Sequence, residues 1–420
     1  MDAYNAAVGA RLCARTEANL MTVEQAQVQG QVDPGFEPLR DLLEEQFAKG
    51  DHIGAGVSVY HHGRKVVDVW GGLADEDTKK PWERDTMAVS YSTTKGLTAT
   101  CLHVLADRGP VDYQAPVSKY WPEFAQNGKD KITVFHLLTH QAGMTSVPDG
   151  MYGADLFDWE RVIHGLERQA PAWVPGEESG YHALTFGFLV GEVVRRASGK
   201  RIGAFLRDEV TTPLGIADEM FIGAPESVEP RIAKLKNRMT VTPEMIKQYQ
   251  ESQATQGADA TLRARAMGMS LDGAPREDSL DTPAGHRAEV PAVSGIMTAR
   301  ALARMYACLA GYGELDGVRL MSEATVRTMS KQQTYRPDKI IVMPIGWAMG
   351  YMTGGTEGWP QGPRVTAFGH AGLGGSIGLA DPEIEMAFGF TTNAMAMDLI
   401  GYGRTASLAG AARACCEALG

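Results

Sequence analysis

Strand-like segments near both ends of the chain, with a long run of helical patterns between them, constrain the fold more than any other feature. The segment GAGVSVYHHGRKVVDVWGG, which begins at Gly54, contains two β-rich runs around a polar turn and predicts a hairpin. Nearer the other end, IGWAMGY, GSIGLADP and EMAFGFTTN have strand character, and residues 381–383 form a turn between the last two. Strands joined by tight turns pair antiparallel, so the sequence predicts an antiparallel sheet.

Helical patterns fill residues 110–290 and also flank the predicted strands. The segment DPGFEPLRDLLEEQFAKG predicts an amphipathic helix with Asp33 as its N-cap and Gly50 as its stop. The segment TARALARMYACLAGYG predicts a helix capped by Thr298, and YGRTASLAGAARACCEAL predicts a helix that closes the chain. We therefore expect helices from both ends of the chain to cover the sheet.

These elements together predict an α+β fold, an antiparallel sheet flanked by N- and C-terminal helices with a helical insertion. Residues 33–109 and 291–420 are expected to form the α/β domain and residues 110–290 a mostly helical domain. Residues 1–32 are expected to be a poorly ordered N-terminal extension. A cleft between two such lobes commonly binds a ligand, so we expect the active site there.

Charge and cysteine content narrow the function classes and the compartment. The 420-residue chain has a net charge of −11, which repels a polyanion, so we expect no nucleic-acid partner. The cysteines are odd in number and scattered, which predicts reduced thiols rather than a disulfide framework or a zinc ribbon. They are Cys13, Cys101, Cys308, Cys415 and Cys416. Because no signal peptide or membrane-spanning apolar run is evident, we expect a cytoplasmic protein without a membrane partner.

The hydroxyl-rich start of one apolar helix carries the main chemical signal. In MAVSYSTTKGLTATCLHVLAD, which begins at Met87, Ser92 and Lys95 are three residues apart and share one helix face. Serine is a weak nucleophile until a base takes its proton, and a desolvated lysine can be that base. The N-terminus of a helix also stabilises a developing oxyanion. Taken alone, however, such a motif more often marks a helix cap followed by an exposed lysine.

Three further segments follow Ser92 and Lys95 in order. LLTHQAGM begins at Leu137, PGEESGY ends at Tyr181 just before another apolar helix, and FGHAGLGGSIGLADP contains His370 next to a strand. With this ordered set the chain resembles the serine β-lactamase and penicillin-binding family. It is most similar to the class C-like branch, which includes the family VIII carboxylesterases. The resemblance extends from about residue 33 to the C-terminus.

This resemblance implies a β-lactamase-like fold and a set of site residues. Ser92 matches the acylated serine, Lys95 the lysine that helps to deprotonate it, and Tyr181 the tyrosine that relays protons to and from the serine oxygen. The oxyanion hole of the family corresponds to the backbone N–H groups of Ser92 and Leu373. The resemblance leaves open whether Lys95 or Tyr181 is the primary base. A phenol with an ordinary pKa of about 10 needs a nearby cation to act as one, and Lys95 would supply it.

Two residues depart from the family pattern. Ala183 replaces the asparagine of the Y-x-N element, and His370 replaces the lysine of the Lys-Thr-Gly triplet. Both changes remove anchors for penicillin-like ligands, and neither removes a group that transfers the acyl chain. The resemblance thus implies a serine carboxylesterase for short-chain esters with weak β-lactam hydrolysis. The alternatives are an amide or D-amino-acid peptide hydrolase, an acyltransferase, and a penicillin-binding-type receptor without turnover.

Auxiliary residues are predicted around this set. His370 is expected to form a hydrogen bond near Tyr181, and Gly372 belongs to the same triplet beside the strand. Trp347 and Tyr351 lie in a strand-like run before His370, where they either line the acyl pocket or pack in the core.

No metal or cofactor is expected. His136 and His140 have the spacing of a zinc-binding helix, but Leu137 replaces the glutamate of H-E-x-x-H. The glycine-rich segment GHAGLGG precedes a strand rather than a helix, which argues against a phosphate-binding loop. A small-molecule ester is therefore the expected partner, and the oligomeric state is left open.

Overall fold

The computed structural model describes residues 27–238, 259–268, 280–396 and 403–420. Its strands, in chain order, are β1 (Gln29–Val32), β2 (Gly54–His61), β3 (Arg64–Asp75), β4 (Lys80–Pro81), β5 (Ala88–Val89), β6 (Met220–Ile222), β7 (Lys236–Asn237), β8 (Gly295–Met297), β9 (Glu314–Leu315), β10 (Val318–Arg319), β11 (Thr334–Pro337), β12 (Pro344–Trp347), β13 (Met352–Thr353), β14 (Phe368–Ala371), β15 (Ile377–Asp381), β16 (Met386–Thr392) and β17 (Ala394–Met395). The principal helices are α1 (Glu37–Ala48), α2 (Thr94–Asp107), α3 (Val134–Leu138), α4 (Trp159–Arg168), α5 (Thr185–Ser198), α6 (Ile202–Leu206), α7 (Pro283–Arg287), α8 (Ala299–Ala310), α9 (Glu323–Ser330) and α10 (Arg404–Leu419).

One large antiparallel sheet organises the molecule. Its strands follow the order β1-β3-β2-β16-β15-β14-β13-β12-β11, and β4 pairs with β3. The two ends of the chain meet in the middle of this sheet, where β2 pairs with β16 and Val57 lies opposite Phe390. His62 and Gly63, both with positive φ, form the tight turn of the β2–β3 hairpin. The α+β class and the antiparallel sheet predicted from the sequence are confirmed.

Alternation of large and small side chains on β16 explains how helices cover both faces of the sheet. Phe388 and Phe390 point into a core that includes Leu43 of α1 and Leu408 of α10, so the two terminal helices cover this face. On the other face, a Cβ atom added at Gly389 would lie 2.3 Å from the carbonyl oxygen of Ala299. The glycine therefore lets α8 pack directly against the strand.

Two boundaries near the N-terminus differ from the sequence prediction. β1 lies inside the segment 1–32 that was expected to be a poorly ordered extension, and it pairs with β3 at the edge of the sheet. Asp33 is not the N-cap of α1, because its N–H still donates to the carbonyl of Val66 and continues this pairing. The chain turns at Gly35, whose φ is 94°, and the helix begins only at Glu37. The predicted helix therefore exists with a later start.

Helices dominate the described residues of the middle segment, as the sequence predicts, but they are not its only elements. β6 pairs with β8, and β7 pairs in parallel with β17, so short strands tie this segment to the sheet-bearing part. Thr298 caps α8 as predicted, since its side chain accepts the N–H of Ala301. The division of the chain into two domains stays a prediction.

The described residues bear on the predictions for the membrane and for the cysteines. No helix of the described residues is long and apolar enough to cross a bilayer. Cys101, Cys308, Cys415 and Cys416 are buried free thiols, and Cys13 lies outside the described residues.

Candidate active site

Ser92 lies in a sharp turn between β5 and α2. The preceding residue, Tyr91, has a φ of 43°, a conformation that is uncommon for an aromatic residue and found in strained functional turns. Thr94 fixes this turn, because its hydroxyl donates to the carbonyl of Tyr91 and accepts the N–H of Gly295 on β8. The Ser92 side chain is consequently presented, half-buried, at the N-terminal end of α2.

Lys95 is fully buried one turn into α2 and contacts the Ser92 hydroxyl. Its Nζ lies 3.1 Å from Ser92 Oγ, 2.7 Å from the carbonyl oxygen of Ala183 and 3.1 Å from that of Ala292. Burial lowers the pKa of this amine well below its ordinary value. A neutral amine has two N–H donors and one lone pair, which match two carbonyls and one hydroxyl. The surroundings of Lys95 thus suit a base that can accept the Ser92 proton.

Tyr181 completes the cluster from the segment before α5. Its hydroxyl shares a hydrogen bond with Ser92, and its ring centroid lies 4.8 Å from Lys95 Nζ. Burial raises the pKa of this phenol, although the hydrogen bond to Ser92 opposes the change. Desolvation thus favours the protonated phenol and the neutral amine. Tyr181 is therefore suited to donate a proton.

Two residues that the sequence did not mark as site residues, His140 and Asp338, hold the backbone around Tyr181. The N–H groups of Gly180 and His182 donate to the carbonyl and Nδ1 of His140, at 3.0 and 3.1 Å. The N–H of Tyr181 donates to Oδ1 of Asp338 at 3.0 Å. His140 belongs to the noted segment LLTHQAGM, whereas no local sequence signal marks Asp338. No group of three or more metal-ligating side chains occurs among the described residues.

Side-chain hydrogen bonds join the loop after β14 to the turn that contains Ser92. Ser376 Oγ donates to the carbonyl of Ser90 at 2.8 Å, and Thr93 Oγ1 donates to the carbonyl of Ser376 at 3.1 Å. Leu373, at the tip of this loop, has no acceptor for its N–H among the described residues and lines the same cavity as Ser92. That the backbone N–H groups of Ser92 and Leu373 form an oxyanion hole stays a prediction.

Gly372 is required by the close approach of these two segments. A Cβ atom at this position would lie 2.2 Å from the carbonyl oxygen of Ser90 and 2.6 Å from Ser376 Oγ. We predict that Gly372→Ala lowers kcat/KM for p-nitrophenyl butyrate by about 10²-fold, the effect of losing one oxyanion-hole donor. Gly410→Ala on α10, where an added Cβ meets nothing within 4 Å, is the control. Equal activity of the two variants would contradict this role.

His370 is buried and neutral beside Tyr181. Its Nδ1 donates to the carbonyl of Ala371 at 2.8 Å, and burial together with the neighbouring Lys95 lowers its pKa to about 3. The ring centroids of His370 and Tyr181 are 6.1 Å apart. The expected hydrogen bond near Tyr181 is not formed, because His370 Nε2 has no hydrogen-bond partner among the described residues.

An apolar cavity of about 350 Å³ opens beside Ser92 and Tyr181. None of its described lining residues carries a charge at neutral pH, given the low pKa of His370. The remaining lining residues are Tyr91, Ala183, Leu184, Met267, Leu280, Val293, Ile340, Ile341, Met352, Ala371 and Leu373. This lining suits an uncharged, apolar ligand.

Trp347 and Tyr351 are not among the residues that line this cavity, and both are buried in the core. Trp347 is fully buried behind Tyr181, with the two rings stacked at 5.6 Å and 7°. Tyr351 is also fully buried, and its hydroxyl contacts Thr100 Oγ1 at 2.9 Å on α2. Its neighbour Met352 faces the cavity instead, because adjacent residues in extended backbone point in opposite directions.

Comparisons with known proteins agree on one family. The Beta-lactamase family model matches residues 39–409. Esterase/beta-lactamase LipL from Mycobacterium tuberculosis is 36% identical over 379 residues, which cover 88% of this chain and 84% of the relative. A family VIII carboxylesterase structure superposes with a TM-score of 0.83 at 35% identity, covering 93% of this chain and 100% of the other. A penicillin-binding protein homolog from Caulobacter crescentus gives 0.82 at 33% identity, with the same coverage.

Proposed function

Since the chain belongs to the beta-lactamase family of hydrolases, we propose that it is a carboxylesterase that cleaves uncharged esters through an acyl-enzyme on Ser92. The observation that carries this proposal is the cluster of Ser92, Lys95 and Tyr181 at the end of an apolar cavity. The related proteins named esterase and carboxylesterase support the same reaction class.

The acylation step uses each member of the cluster once. Ser92 Oγ attacks the ester carbonyl carbon while Lys95 Nζ, which lies 3.1 Å away, accepts the hydroxyl proton. The N–H groups of Ser92 and Leu373 stabilise the tetrahedral oxyanion. As the intermediate collapses, the bond to the alcohol oxygen breaks and Tyr181 donates its proton to that oxygen. Lys95 then returns the proton that it took from Ser92 to the Tyr181 phenolate, so that both groups regain their starting protonation states.

Deacylation reverses these roles with water in place of the alcohol. The water attacks the acyl carbon, its proton passes to the base, and Ser92 is released with its hydroxyl restored. We assign Lys95 as the primary base, because its Nζ lies 3.1 Å from Ser92 Oγ and burial favours its neutral form.

The cavity favours an ester over charged ligands. A β-lactam carboxylate needs a cation, and His370 is neutral at the position where the family has lysine. The ammonium group of a D-amino-acid amide needs an anion, and the described lining residues include none. Ala183 likewise has no amide to bind an acylamino side chain. An uncharged acyl group needs neither a cation nor an anion in the cavity.

A panel of p-nitrophenyl esters tests the proposed function. We expect kcat/KM to rise from acetate through butyrate to hexanoate, since each buried methylene contributes about 0.8 kcal/mol, or roughly fourfold. The sequence predicts short-chain esters as substrates. The cavity also has room for longer acyl chains. Nitrocefin should be hydrolysed far more slowly than butyrate. Faster hydrolysis of nitrocefin, or an acyl adduct that persists in intact-mass spectra, would contradict an esterase and favour the β-lactamase or receptor alternative.

A further inference from the structure

Asp338 is a buried residue directly after β11, and it is only 2% exposed. Its Oδ1 accepts three backbone N–H groups, from Tyr181 at 3.0 Å, Ile340 at 2.8 Å and Ile341 at 2.9 Å. Several N–H donors on one carboxylate oxygen form strong, charge-assisted hydrogen bonds. One atom of Asp338 therefore fixes three backbone positions.

These positions belong to two different parts of the candidate site. Tyr181 contacts Ser92, whereas Ile340 and Ile341 form part of the apolar wall of the cavity. The bonds to Ile340 and Ile341 are the local type that an aspartate makes within its own turn. The bond to Tyr181 spans 157 positions of the chain and is not needed for that turn. Asp338 thus links the turn to the segment that carries the phenol.

Neighbouring contacts support the same link. The N–H of Lys339 donates to the carbonyl of Ser179 at 2.9 Å, and Arg336 Nε donates to Ser179 Oγ at 3.0 Å. The tip of the β11–β12 hairpin is therefore tied to the chain before Tyr181 at several points, and Asp338 is the one that reaches the tyrosine itself.

We propose that Asp338 is a positioning residue, which holds Tyr181 against Ser92 and sets the acyl-pocket wall through the same carboxylate. The inference rests on the proposed esterase reaction, in which Tyr181 protonates the leaving alcohol. A displaced Tyr181 would leave the alkoxide without its proton donor, and a displaced wall would weaken the binding of longer acyl chains.

The carboxylate also acts on the protonation state of Tyr181. The other titratable side chains around this phenol are Ser92, Lys95, His140, His182 and His370. Burial lowers the pKa of Lys95 and of all three histidines, which favours their neutral forms. The negative charge of Asp338 raises the pKa of Tyr181, in the same direction as burial. Both effects keep the phenol protonated.

The test compares two leaving groups in Asp338→Ala. Nitrophenolate leaves without a proton, whereas the ethoxide of ethyl butyrate needs one. Because a hydrogen bond to a charged group is lost, we expect kcat/KM to fall roughly tenfold or more for ethyl butyrate and about threefold or less for p-nitrophenyl butyrate. The ratio of hexanoate to acetate activity should also fall. An equal loss on both leaving groups would overturn the inference.

Asp338→Asn keeps the proposal testable if the alanine variant does not fold. The amide oxygen can still accept the N–H groups, but the negative charge is gone. We expect the alkaline limb of kcat/KM for ethyl butyrate to move to lower pH, because the pKa of Tyr181 falls when the anion is removed. An alkaline limb at the wild-type pH would overturn the electrostatic role.

Two controls separate positioning from general destabilisation. Asp381→Asn removes another buried carboxylate, which contacts Arg364 and Arg413 instead of Tyr181, and should leave the leaving-group ratio unchanged. In a Tyr181→Phe background, Asp338→Ala should no longer change that ratio. If wild-type activity proves independent of Ser92, the proposed function fails; if it depends on Ser92 but the ratio does not respond to Asp338, only this inference fails.

Discussion

Ser92→Ala is expected to lower kcat/KM for p-nitrophenyl butyrate by at least about 10³-fold. The hydroxyl is the atom that forms the acyl-enzyme, and no described side chain within the cluster can replace it, since Lys95 is enclosed by two carbonyls and Tyr181 is kept protonated. Stability should hardly change, because removing one half-buried hydroxyl typically alters the free energy of unfolding by less than about 1 kcal/mol. Steady-state kinetics and Tm together measure both effects.

The matched control for this variant is Ser58→Ala. Ser58 is a fully buried serine on β2 that donates to the carbonyl of Val67, away from the cavity. It should keep near wild-type kcat/KM per folded molecule while losing some stability. Intact-mass spectra of rapidly quenched reactions should show a butyryl adduct on the wild type and on Ser58→Ala but not on Ser92→Ala. Full activity of Ser92→Ala, or an adduct on it, would show that another nucleophile carries the reaction.

Lys95→Met and Tyr181→Phe are both expected to lower kcat/KM, but with a different dependence on the leaving group. Loss of the base should lower kcat/KM by about 10³-fold for both p-nitrophenyl butyrate and ethyl butyrate, because every ester requires deprotonation of Ser92. Loss of the phenol should cost ethyl butyrate much more than the nitrophenyl ester, because only the alkoxide needs a proton to leave. Measuring both substrates on both variants therefore assigns the two roles.

The pH dependence of the activity tests independently which residue is the base. Burial lowers the pKa of Lys95, so the neutral, active amine is present above that lowered pKa. For p-nitrophenyl butyrate, whose leaving group needs no proton, the activity should be constant above this pKa and should be lost as the pH falls through it. This acid limb should persist in Tyr181→Phe and be absent from the residual activity of Lys95→Met. An acid limb that disappears in Tyr181→Phe instead would identify the phenol as the base.

A second buried lysine provides the control for Lys95→Met. Lys129 is also fully buried, and its Nζ donates to three carbonyls, including those of Gln126 and Glu167, at a distance from the cavity. Lys129→Met should lower Tm without a comparable loss of kcat/KM. If both lysine variants lose activity in proportion to their loss of folded protein, the catalytic assignment of Lys95 is contradicted.

Local patterns were sufficient to predict most of the fold. The strand character of β16 and the tight turn at His62–Gly63 depend on neighbours in the chain, and both were predicted. The start of α1 was predicted too early, because the pairing of Asp33 with Val66 is a contact between separate segments. The pairing of β2 with β16, which brings both ends of the chain together, agrees with the antiparallel sheet that the strand-like segments predicted.

The sequence alone determined which residues could do chemistry, and the tertiary structure decided in which protonation state they lie and what holds them. Ser92 and Lys95 could be placed on one helix face because three residues make nearly one turn, and the order of the motifs added Tyr181. Only folding decided the lowered pKa of Lys95, the raised pKa of Tyr181 and the unpartnered Nε2 of His370. It also decided the core positions of Trp347 and Tyr351 and the link through Asp338. Burial and hydrogen bonds between segments distant in the chain set these properties, and neither is encoded in the local pattern of residues.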